Sequence, residues 1–373
     1  MKNKTKIKIF FCATEQSGDN LGEKIIKKIQ NNSKIYNFDG VGGSKMKELL
    51  NKQFYSLKNF KSIGIIEILT SIRKYLLMID KLANIIIKNN YQIVVTIDSP
   101  DFNFRLAKKI KQKGYKGKIA HIVAPSVWAW RKNRAKDISL IYDKLLVIFP
   151  FEPKYFTQHK LNTKFIGNPI YYIKDFNKKR KKEFIAFLPG SRKGEIKNLI
   201  NYFKILSEYL YNISSKYKLF IPTLPHIKKD LIILTKNWKI KPLIIIDQKK
   251  IDKYFSKTLF AVVCSGTATL EITKRKIPQI IIYKLNILTV IILYLFAYIK
   301  YANIINIMAN QMIIPEIVNF KLNNKNILIE FKKLLNDNNN TQIKNSRNYI
   351  TKLILKKSPA EIASKEIKKL LFP

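Results

Sequence analysis

The residues that decide the fold are Ile93-Val94-Val95-Thr96-Ile97, followed directly by Asp98-Ser99-Pro100-Asp101. A short run of apolar and β-branched residues predicts a strand that is buried on both faces of a parallel sheet. The strand ends at Asp98, and apolar residues then recur at helical spacing until Gly114. The order strand, acidic loop, helix predicts one repeating unit of an α/β sheet.

A second predicted strand, Ile119 to Val123, leads into the aromatic loop Ala124 to Arg131. In open α/β sheets, ligands bind beyond the carboxyl ends of the strands, where both loops must lie. Asp98 is the best candidate for a general base because it terminates a buried strand at that edge. Asp101 is better interpreted as the N-cap of the following helix.

The chain length of 373 residues exceeds what one hydrophobic core usually serves, so two domains are expected. From Phe184 to Tyr283, predicted strands alternate with helical segments, which favours a second parallel sheet. Cys12 and Cys264 each lie in an apolar run, so both are predicted to be buried thiols of a reducing compartment. The three histidines show no zinc-type spacing, and no metal site is predicted.

The formal net charge of +45 is typical of proteins that bind nucleic acid or an anionic membrane surface. Lysines are spread through every predicted element, so a bias in base composition explains the charge about equally well. A rival interpretation is a basic binding protein for nucleic acid or anionic lipid, but the basic residues avoid the strand-end loops, which argues against it. The apolar segment Ile287 to Ile299 is shorter than the roughly 20 residues that a membrane span needs, so it is predicted to lie on a bilayer.

Three further loops lead from a predicted strand into a helix: Glu15-Gln16-Ser17-Gly18-Asp19, Leu188-Pro189-Gly190-Ser191-Arg192 and Ser265-Gly266-Thr267. Free backbone N–H groups at a helix N-terminus can bind a phosphate or a hydroxyl group. For the first loop, the alternative is an ordinary turn with Ser17 or Asp19 as the N-cap.

Two segments, Ile97 to Asn103 and Pro125 to Arg131, resemble those of the lipid-A-disaccharide synthases, which are inverting glycosyltransferases of the GT-B fold. The likeness appears again, in the family's order, in Glu15 to Asp19, Leu188 to Arg192, Ser265 to Glu271 and Asn310 to Glu316. The resemblance implies an α/β protein with two Rossmann-like domains whose parallel sheets face each other across a cleft.

The resemblance also implies how the chain is divided. An acceptor domain for lipid X is expected at residues 1–170, and a UDP-sugar donor domain at residues 171–340. Residues 341–373 are expected to form C-terminal helices that cross back to the N-terminal domain or to a dimer partner.

By the same resemblance, the enzyme condenses UDP-2,3-diacylglucosamine with 2,3-diacylglucosamine 1-phosphate (lipid X), forms a β-1,6 bond and releases UDP, without a cofactor. Asp98 is expected to deprotonate the 6-hydroxyl of the acceptor. Donor-binding roles are implied for Ser191, Arg192, Ser265, Gly266, Thr267, Glu271, Asn310 and Glu316. Substrate-binding roles are implied for Glu15, Ser17, Asp101, Trp128, Trp130 and Asn168.

Several of these residues have a second interpretation. Glu271 is expected to hydrogen-bond the ribose, but it equally fits a first-turn acid that complements the helix dipole. Trp128 and Trp130 are expected to stack on sugars or acyl chains, or else to pack a domain interface. The family usually has His where Asn168 stands, and an amide cannot act as an imidazole acid or base.

The resemblance further implies a cytoplasmic protein that is attached peripherally to the inner face of the inner membrane, with a homodimer as a further partner. The nearest alternative is another GT-B enzyme that uses a UDP-amino sugar. Such an enzyme would share the second-domain loops but would not be expected to carry the Asp98 loop together with the aromatic loop.

Overall fold

The computed structural model describes residues 6–31, 33, 35–60, 68–174, 182–214, 216–285, 290, 299–336 and 340–372. Apart from residues 290 and 299, the segment predicted to lie on a bilayer falls outside these ranges. Within them, no helix combines the length and the apolar character that crossing a membrane requires.

The strands, in chain order, are β1 (Ile7–Ala13), β2 (Tyr36–Gly42), β3 (Lys52–Ser56), β4 (Ile93–Ile97), β5 (Lys118–Ile122), β6 (Lys144–Val147), β7 (Thr163–Phe165), β8 (Phe184–Leu188), β9 (Lys218–Pro222), β10 (Leu243–Ile245), β11 (Thr258–Cys264), β12 (Gln279–Tyr283) and β13 (Glu316–Val318). The α-helices are α1 (Gln16–Gln30), α2 (Ser44–Lys47), α3 (Ile68–Lys88), α4 (Pro100–Gln112), α5 (Arg134–Ser139), α6 (Pro153–Thr157), α7 (Lys193–Ile213), α8 (Lys228–Thr235), α9 (Gln248–Phe255), α10 (Thr267–Lys274), α11 (Ile304–Ala309), α12 (Asn324–Asn336), α13 (Asn340–Lys352) and α14 (Pro359–Leu371). Short 3₁₀ turns occupy Leu57–Phe60, Pro169–Tyr172 and Asn319–Lys321.

The chain forms two compact units, Met1–Tyr171 with Leu353–Pro373, and Tyr172–Lys352. The C-terminal stretch that was expected to act together is divided between them. Helix α13 packs on α10 and α11 of the second unit, and Gln342 exchanges hydrogen bonds of 2.7 and 2.9 Å with the backbone of Gln279. Helix α14 packs on α1 of the first unit instead.

The first unit is a seven-stranded parallel sheet in the order β3-β2-β1-β4-β5-β6-β7. All five residues of β4 are buried, as the run of β-branched residues predicted. Val94 belongs to the core cluster that includes Leu82 of α3 and Leu106 of α4. Full burial of an aliphatic side chain of this size stabilises the fold by roughly 1.5–3 kcal/mol, so this strand anchors the sheet.

The second unit is a six-stranded parallel sheet in the order β10-β9-β8-β11-β12-β13. Its core includes Phe187 of β8, Phe203 of α7 and Val262 of β11, which are all buried. Two parallel sheets with helices in the crossovers confirm the α/β prediction.

Candidate active site

The first candidate site lies where β1 and β4 end side by side. The two strands are paired, and Ala13 is the partner of Ile97. Chain order runs outward from this pair in both directions, to β3 on one side and to β7 on the other. Open α/β sheets bind ligands at such topological switch points, beyond the carboxyl ends of the strands.

A small hydrogen-bonded cluster occupies this switch point. Ser17 Oγ donates to Asp98 Oδ2 at 2.8 Å, and Ser99 Oγ donates to Glu15 Oε1 at 3.0 Å. Glu15 and Ser17 are exposed, and Asp98 is half-buried. Each of these two hydrogen bonds joins residues that are more than 80 positions apart in the sequence, and together they bring Glu15, Ser17 and Asp98 to one place.

The backbone at the end of β4 is strained. Asp98 and Ser99 are consecutive non-glycine residues in the left-handed region, with φ of 57° and 44°. Such residues cost on the order of 1–3 kcal/mol each and persist only where their surroundings hold them. Here the Asp98 N–H donates to Ile122 O at 2.9 Å, and Asn103 Nδ2 donates to Asp98 O at 2.7 Å. The fold thus holds Asp98 in one orientation.

The surroundings of Asp98 suit a general base. Its Oδ1 accepts the Ser99 N–H at 2.8 Å, while Oδ2 accepts from Ser17. Each carboxylate oxygen has two lone pairs, so both oxygens can accept a further hydrogen bond. A half-buried carboxylate that is oriented by two donors can take a proton from a hydroxyl within hydrogen-bond distance.

The start of α1 differs from the expected turn. Glu15 is its N-cap residue, and both Ser17 and Asp19 lie inside the helix, so the N-cap alternative is wrong. Asp19 is fully buried and accepts hydrogen bonds from the N–H groups of Gly43 at 2.7 Å and Met46 at 3.0 Å. It therefore satisfies the N-terminal N–H groups of α2 and ties that turn to the start of α1.

Asp101 is not the N-cap of α4, because Ser99 takes that position and Pro100 begins the helix. Its side chain is 79% exposed and pairs with Arg134 of α5 at 2.8 Å. Arg134 also donates to Pro100 O at 3.3 Å. The pair connects the loop after β4 with the element that follows the aromatic loop, and Asp101 stays accessible to a ligand.

The aromatic loop divides its two tryptophans between the interior and the surface. Trp128 is buried, donates through Nε1 to Glu152 Oε1 at 3.2 Å, and packs edge-on against Phe151 with centroids 5.3 Å apart. It packs inside the first unit, so it is not exposed for stacking on a substrate. Trp130 is half-buried, and the Arg131 guanidinium lies 3.9 Å from its ring centroid.

Glu152 is a buried carboxyl group that the sequence analysis did not single out. Besides Trp128, it accepts hydrogen bonds from the N–H groups of Ile148 and Phe149, at 3.2 and 3.0 Å. Burial raises the pKa of Glu152 to about 8, although these hydrogen bonds act in the opposite direction. This side chain joins the loop after β6 to the aromatic loop.

Asn168, which stands where the family usually has His, is also buried. Its Oδ1 accepts from the Ile170 N–H at 3.1 Å, and its Nδ2 donates to Ile148 O at 3.4 Å. Both ends of the amide are therefore used to hold the local backbone. The structure gives Asn168 a bracing role in this loop.

The second candidate site is the corresponding switch point of the other sheet, where β8 and β11 end side by side. Leu188 is the partner of Val263, and chain order again runs outward from the pair. The loops Pro189 to Arg192 and Ser265 to Gly266 both follow these strands and lead into α7 and α10. Both therefore lie at the edge where a nucleotide sugar is expected.

Glu195 shapes the first of these loops. Its Oε2 accepts the N–H groups of Ser191 at 3.1 Å and Arg192 at 3.3 Å, so this carboxylate caps the start of α7. Gly190 has φ of 117°, and a Cβ there would lie 2.6 Å from Glu195 Oε2, so only glycine fits. Two N–H groups that were expected to bind phosphate are thus occupied by a carboxylate of the same chain.

The second loop is more open. Gly266, with φ of 128°, is the N-cap residue of α10, and both Gly266 and Thr267 are exposed. Glu271 lies beyond the first turn, so the first-turn interpretation is wrong. Its Oε1 accepts from Nη2 of the buried Arg275 at 2.9 Å, and its side chain keeps 33% exposure.

Asn310 and Glu316 fall into different environments. Asn310 ends α11 in the left-handed region and is exposed. Glu316 is not a loop residue but begins β13, is buried, and accepts from the N–H groups of Ala302 at 2.7 Å and Asn303 at 2.8 Å. Asn306, also buried, donates to Glu316 Oε1 at 2.7 Å. Glu316 therefore holds the segment that presents Asn310 and does not itself face solvent.

Other polar residues prove to belong to the core. His121 is buried in β5, its Nδ1 lies 2.8 Å from Thr96 Oγ1, and burial lowers its pKa to about 3. Cys12 and Cys264 are buried free thiols, as predicted. Burial raises the pKa of Cys264 to about 12, so it is a poor nucleophile at neutral pH.

Among the residues that the sequence analysis missed, only Glu195 carried a local signal. Its position three residues after Arg192 is the spacing of a capping box. Glu152 and Asn306 bind backbone groups of other residues, as does Asp19, which was considered only as an N-cap. No local sequence pattern predicts such contacts.

The comparisons with known proteins agree with this geometry. A family model described as lipid-A-disaccharide synthetase matches residues 9–371. The lipid-A-disaccharide synthase of Rickettsia typhi is 35% identical over 380 residues, covering 97% of this chain and 98% of the relative.

Solved structures show the same fold at low identity. MurG of Acinetobacter baumannii has a TM-score of 0.60 at 12% identity and covers 98% of this chain and 100% of its own. The UDP-GlcNAc 2-epimerase of Neisseria meningitidis, solved with UDP-GlcNAc bound, has a TM-score of 0.59 at 14% identity and covers 98% and 99%. Taken with the family match, the chain belongs to the lipid-A-disaccharide synthetase family and is a hexosyltransferase with the GT-B fold.

Proposed function

We propose that this enzyme transfers 2,3-diacylglucosamine from UDP to the 6-hydroxyl of 2,3-diacylglucosamine 1-phosphate (lipid X). The acceptor oxygen forms a bond to the anomeric carbon of the donor as the bond from that carbon to the diphosphate breaks. A single displacement of this kind inverts the configuration and yields the β-1,6 disaccharide 1-phosphate and UDP. Family membership supports this reaction class, and the Asp98 cluster supports the base that the reaction needs.

Asp98 is the proposed base, and it is the observation that carries the proposal. It lies at the switch point of the first sheet, strained in its backbone and oriented by Ser17 Oγ at 2.8 Å. The proton of the acceptor hydroxyl passes to Asp98 as the new bond forms. Such assistance is typically worth about 10²–10⁴ in rate. Glu15, Asp101 and Trp130 are accessible near the same edge and are proposed to contact the acceptor.

The second unit is proposed to hold the donor. The guanidinium of Arg192 and the N–H groups at the start of α10 would stabilise the charge that develops on the leaving diphosphate. The N–H groups of Ser191 and Arg192 would join them once the diphosphate displaces Glu195. Ser191, Ser265 and Thr267 can add hydroxyl hydrogen bonds at the same edge. Glu271 is proposed to bind the ribose through the part of its carboxylate that Arg275 leaves exposed, and Asn310 to contact the donor from the end of α11.

The substrates of this reaction carry acyl chains, so the enzyme must reach lipids at a membrane. We propose peripheral attachment to the inner face of the inner membrane from the cytoplasm, supported by the net charge of +45. Basic residues near an anionic surface contribute about 1 kcal/mol each, screened by salt. A homodimer remains part of the proposal.

The experiment that tests the function incubates purified protein with UDP-2,3-diacylglucosamine and lipid X and looks for the disaccharide 1-phosphate and UDP by mass spectrometry. The product should depend on both substrates. A parallel reaction replaces the acylated donor with UDP-GlcNAc. Turnover of UDP-GlcNAc with none of the acylated donor would contradict the proposal and favour the alternative class of UDP-amino-sugar enzymes.

A further inference from the structure

The edge of the second unit exposes a cluster of large apolar side chains. Strand β10 is the edge strand of its sheet, and α8 packs beside it. The exposed members, between 39% and 67% accessible, are Leu224, Ile232, Ile233, Leu234, Leu243 and Ile246. We call this cluster the α8–β10 surface.

Helix α8 shows why this surface is unusual. Leu231 and Thr235 are buried and face the core, as one side of a surface helix should. The three residues between them, Ile232, Ile233 and Leu234, have apolar side chains that are exposed to solvent. The first turn of α8 is charged, but its second turn, Leu231 to Leu234, is apolar on every side, and only Leu231 of these four residues is buried.

The strand ends extend the surface. Leu224 and Ile246 follow the carboxyl ends of β9 and β10, and these ends are joined by a 2.8 Å hydrogen bond from the Thr223 N–H to Ile245 O. Leu224 and Ile246 are therefore neighbours, and α8 packs against the same edge strand. Contiguous exposed apolar groups mark interaction sites.

The charged residues around the α8–β10 surface indicate what kind of partner it binds. Seven lysines and only two aspartates lie between Leu224 and Lys250. Asp230 is paired with Lys193 at 3.0 Å, and Asp247 accepts the Lys250 N–H at 2.8 Å, so both acids have partners in place. The lysines Lys229, Lys236, Lys239, Lys241, Lys249 and Lys250 are exposed.

We propose that the α8–β10 surface binds the headgroup region of an anionic lipid bilayer. Apolar side chains enter the interface while the surrounding lysines contact lipid phosphates, which is how amphipathic basic surfaces bind membranes. A second copy of this chain fits poorly, because an isologous contact would place lysines against lysines.

A protein partner fits less well for a compositional reason. Protein interfaces are enriched in aromatic residues and Arg and depleted in Lys. Between Leu224 and Lys250 the sequence has no Arg, and its one aromatic side chain of the Phe, Tyr and Trp type, Trp238, is buried. The composition is that of a surface for lipid headgroups.

The test is vesicle flotation of the full chain with Ile232→Ser/Ile233→Ser. The matched control is Leu140→Ser/Ile329→Ser, which removes side chains of 72% and 43% exposure from other places, against 48% and 67% in the α8–β10 surface. On phosphatidylcholine vesicles that contain phosphatidylglycerol, the first variant should bind about tenfold more weakly than wild type, and the control should bind as wild type does. Lys236→Glu/Lys241→Glu should lose binding to the same vesicles as well.

Three outcomes would overturn the proposal. Wild-type binding in the Ile232→Ser/Ile233→Ser variant would place the membrane contact elsewhere. Undiminished binding of the wild type to vesicles of phosphatidylcholine alone would remove the role of anionic headgroups. Conversion of a dimer to a monomer by the same variant, with vesicle binding retained, would assign the surface to a second copy. No substrate enters the assay, so its result is independent of the proposed reaction.

Discussion

The loop that follows β4 and the loop that follows β8 occupy the same place in their two sheets, yet they are stabilised in opposite ways. The first is held in part by other elements, because Asp98 accepts a hydrogen bond from Ser17 of α1 and donates one to Ile122 of β5, in addition to its contact with Asn103 of the helix that follows it. The second is held from within, because Glu195 of its own helix accepts the N–H groups of Ser191 and Arg192.

The difference would suit the two tasks that are proposed for these loops. A base must have a fixed direction before the substrate arrives, and two strained residues held by neighbouring elements provide it. A diphosphate site can rearrange when the ligand brings its own charge. The side chain of Arg192 is 73% exposed. Its loop contains Gly190, and the backbone of a glycine can adopt more conformations than that of a non-glycine residue such as Asp98.

The largest effect should come from Asp98→Asn, which keeps the size of the side chain but removes its basicity. Turnover should fall by about 100-fold or more, while the affinity for UDP stays unchanged because the donor loops belong to the second unit. Steady-state rates and calorimetric titration with UDP measure the two quantities.

The control is Asp101→Asn. The exposed carboxylate of Asp101 pairs only with Arg134 among its described contacts, so this variant should lose far less activity. Near-normal turnover in a folded Asp98→Asn protein would end the assignment and make Glu15 the next candidate.

Arg192→Ala should have the next largest effect, on donor binding. Loss of a charged hydrogen-bond partner costs on the order of 1.5–3 kcal/mol, so the Kd for UDP should rise about tenfold or more. The fold should be unaffected, because the side chain is largely exposed. Lys204→Ala removes the same charge from the middle of α7, where Lys204 lies 3.7 Å from Glu208, and should bind UDP normally. Equal affinities of the two variants would place the diphosphate elsewhere.

Glu195→Gln tests whether the internal carboxylate competes with the diphosphate. Glutamine can still cap α7, so the melting temperature should not change. Glu195 is half-buried but its ion-pair partner Arg192 is exposed, so removal of the negative charge is worth about 0.2–1 kcal/mol, which predicts UDP binding about 1.4- to fivefold tighter. Weaker binding would show that Glu195 orders the loop for the ligand instead of competing with it.

The last prediction concerns stability instead of activity, and it rests on Glu152, the buried acid of the first unit. Its pKa is raised from 4.5 to about 8, so the folded protein holds this proton more tightly than the unfolded chain does. Its contribution to the free energy of unfolding is full below about pH 4.5 and is lost as the pH rises to about 8. This shift corresponds to roughly 3–4 kcal/mol lost between pH 5 and 8. The melting temperature of wild type should therefore fall by roughly 10 °C over this range relative to Glu152→Gln, at about 2–4 °C per kcal/mol.

Glu366→Gln is the control for that measurement. Burial alone would raise the pKa of Glu366, but hydrogen bonds from Lys144 and Lys164 outweigh it and lower the pKa to about 2. The stability that this group contributes is lost only below about pH 4.5, so its variant should keep a constant offset from wild type between pH 5 and 8. A similar offset for Glu152→Gln would contradict the raised pKa.

Local pattern served well wherever a single segment determined its own structure. The strand Ile93–Ile97 is buried, as its run of β-branched residues predicted. Gly190 and Gly266 lie in loops between a strand and a helix, as predicted, and both have positive φ. The same local reasoning was wrong for Asp101 and Asp19. A side chain's caps and ion pairs depend on which turn the fold places beside it, and Asp19 found its partner at Gly43.

By itself, the sequence determined the α/β class, the family and the order of the loops, because these rest on hydrophobic period and on motifs that are contiguous in the chain. Only the tertiary structure decided that β1 lies beside β4 and β8 beside β11, which makes these loops neighbours. It also decided that Trp128, Asn168 and Glu316 are buried while Trp130 and Asn310 reach solvent. The physical reason is that strand order and burial arise from contacts between residues far apart in the chain, and each such contact depends on all the others that pack around it.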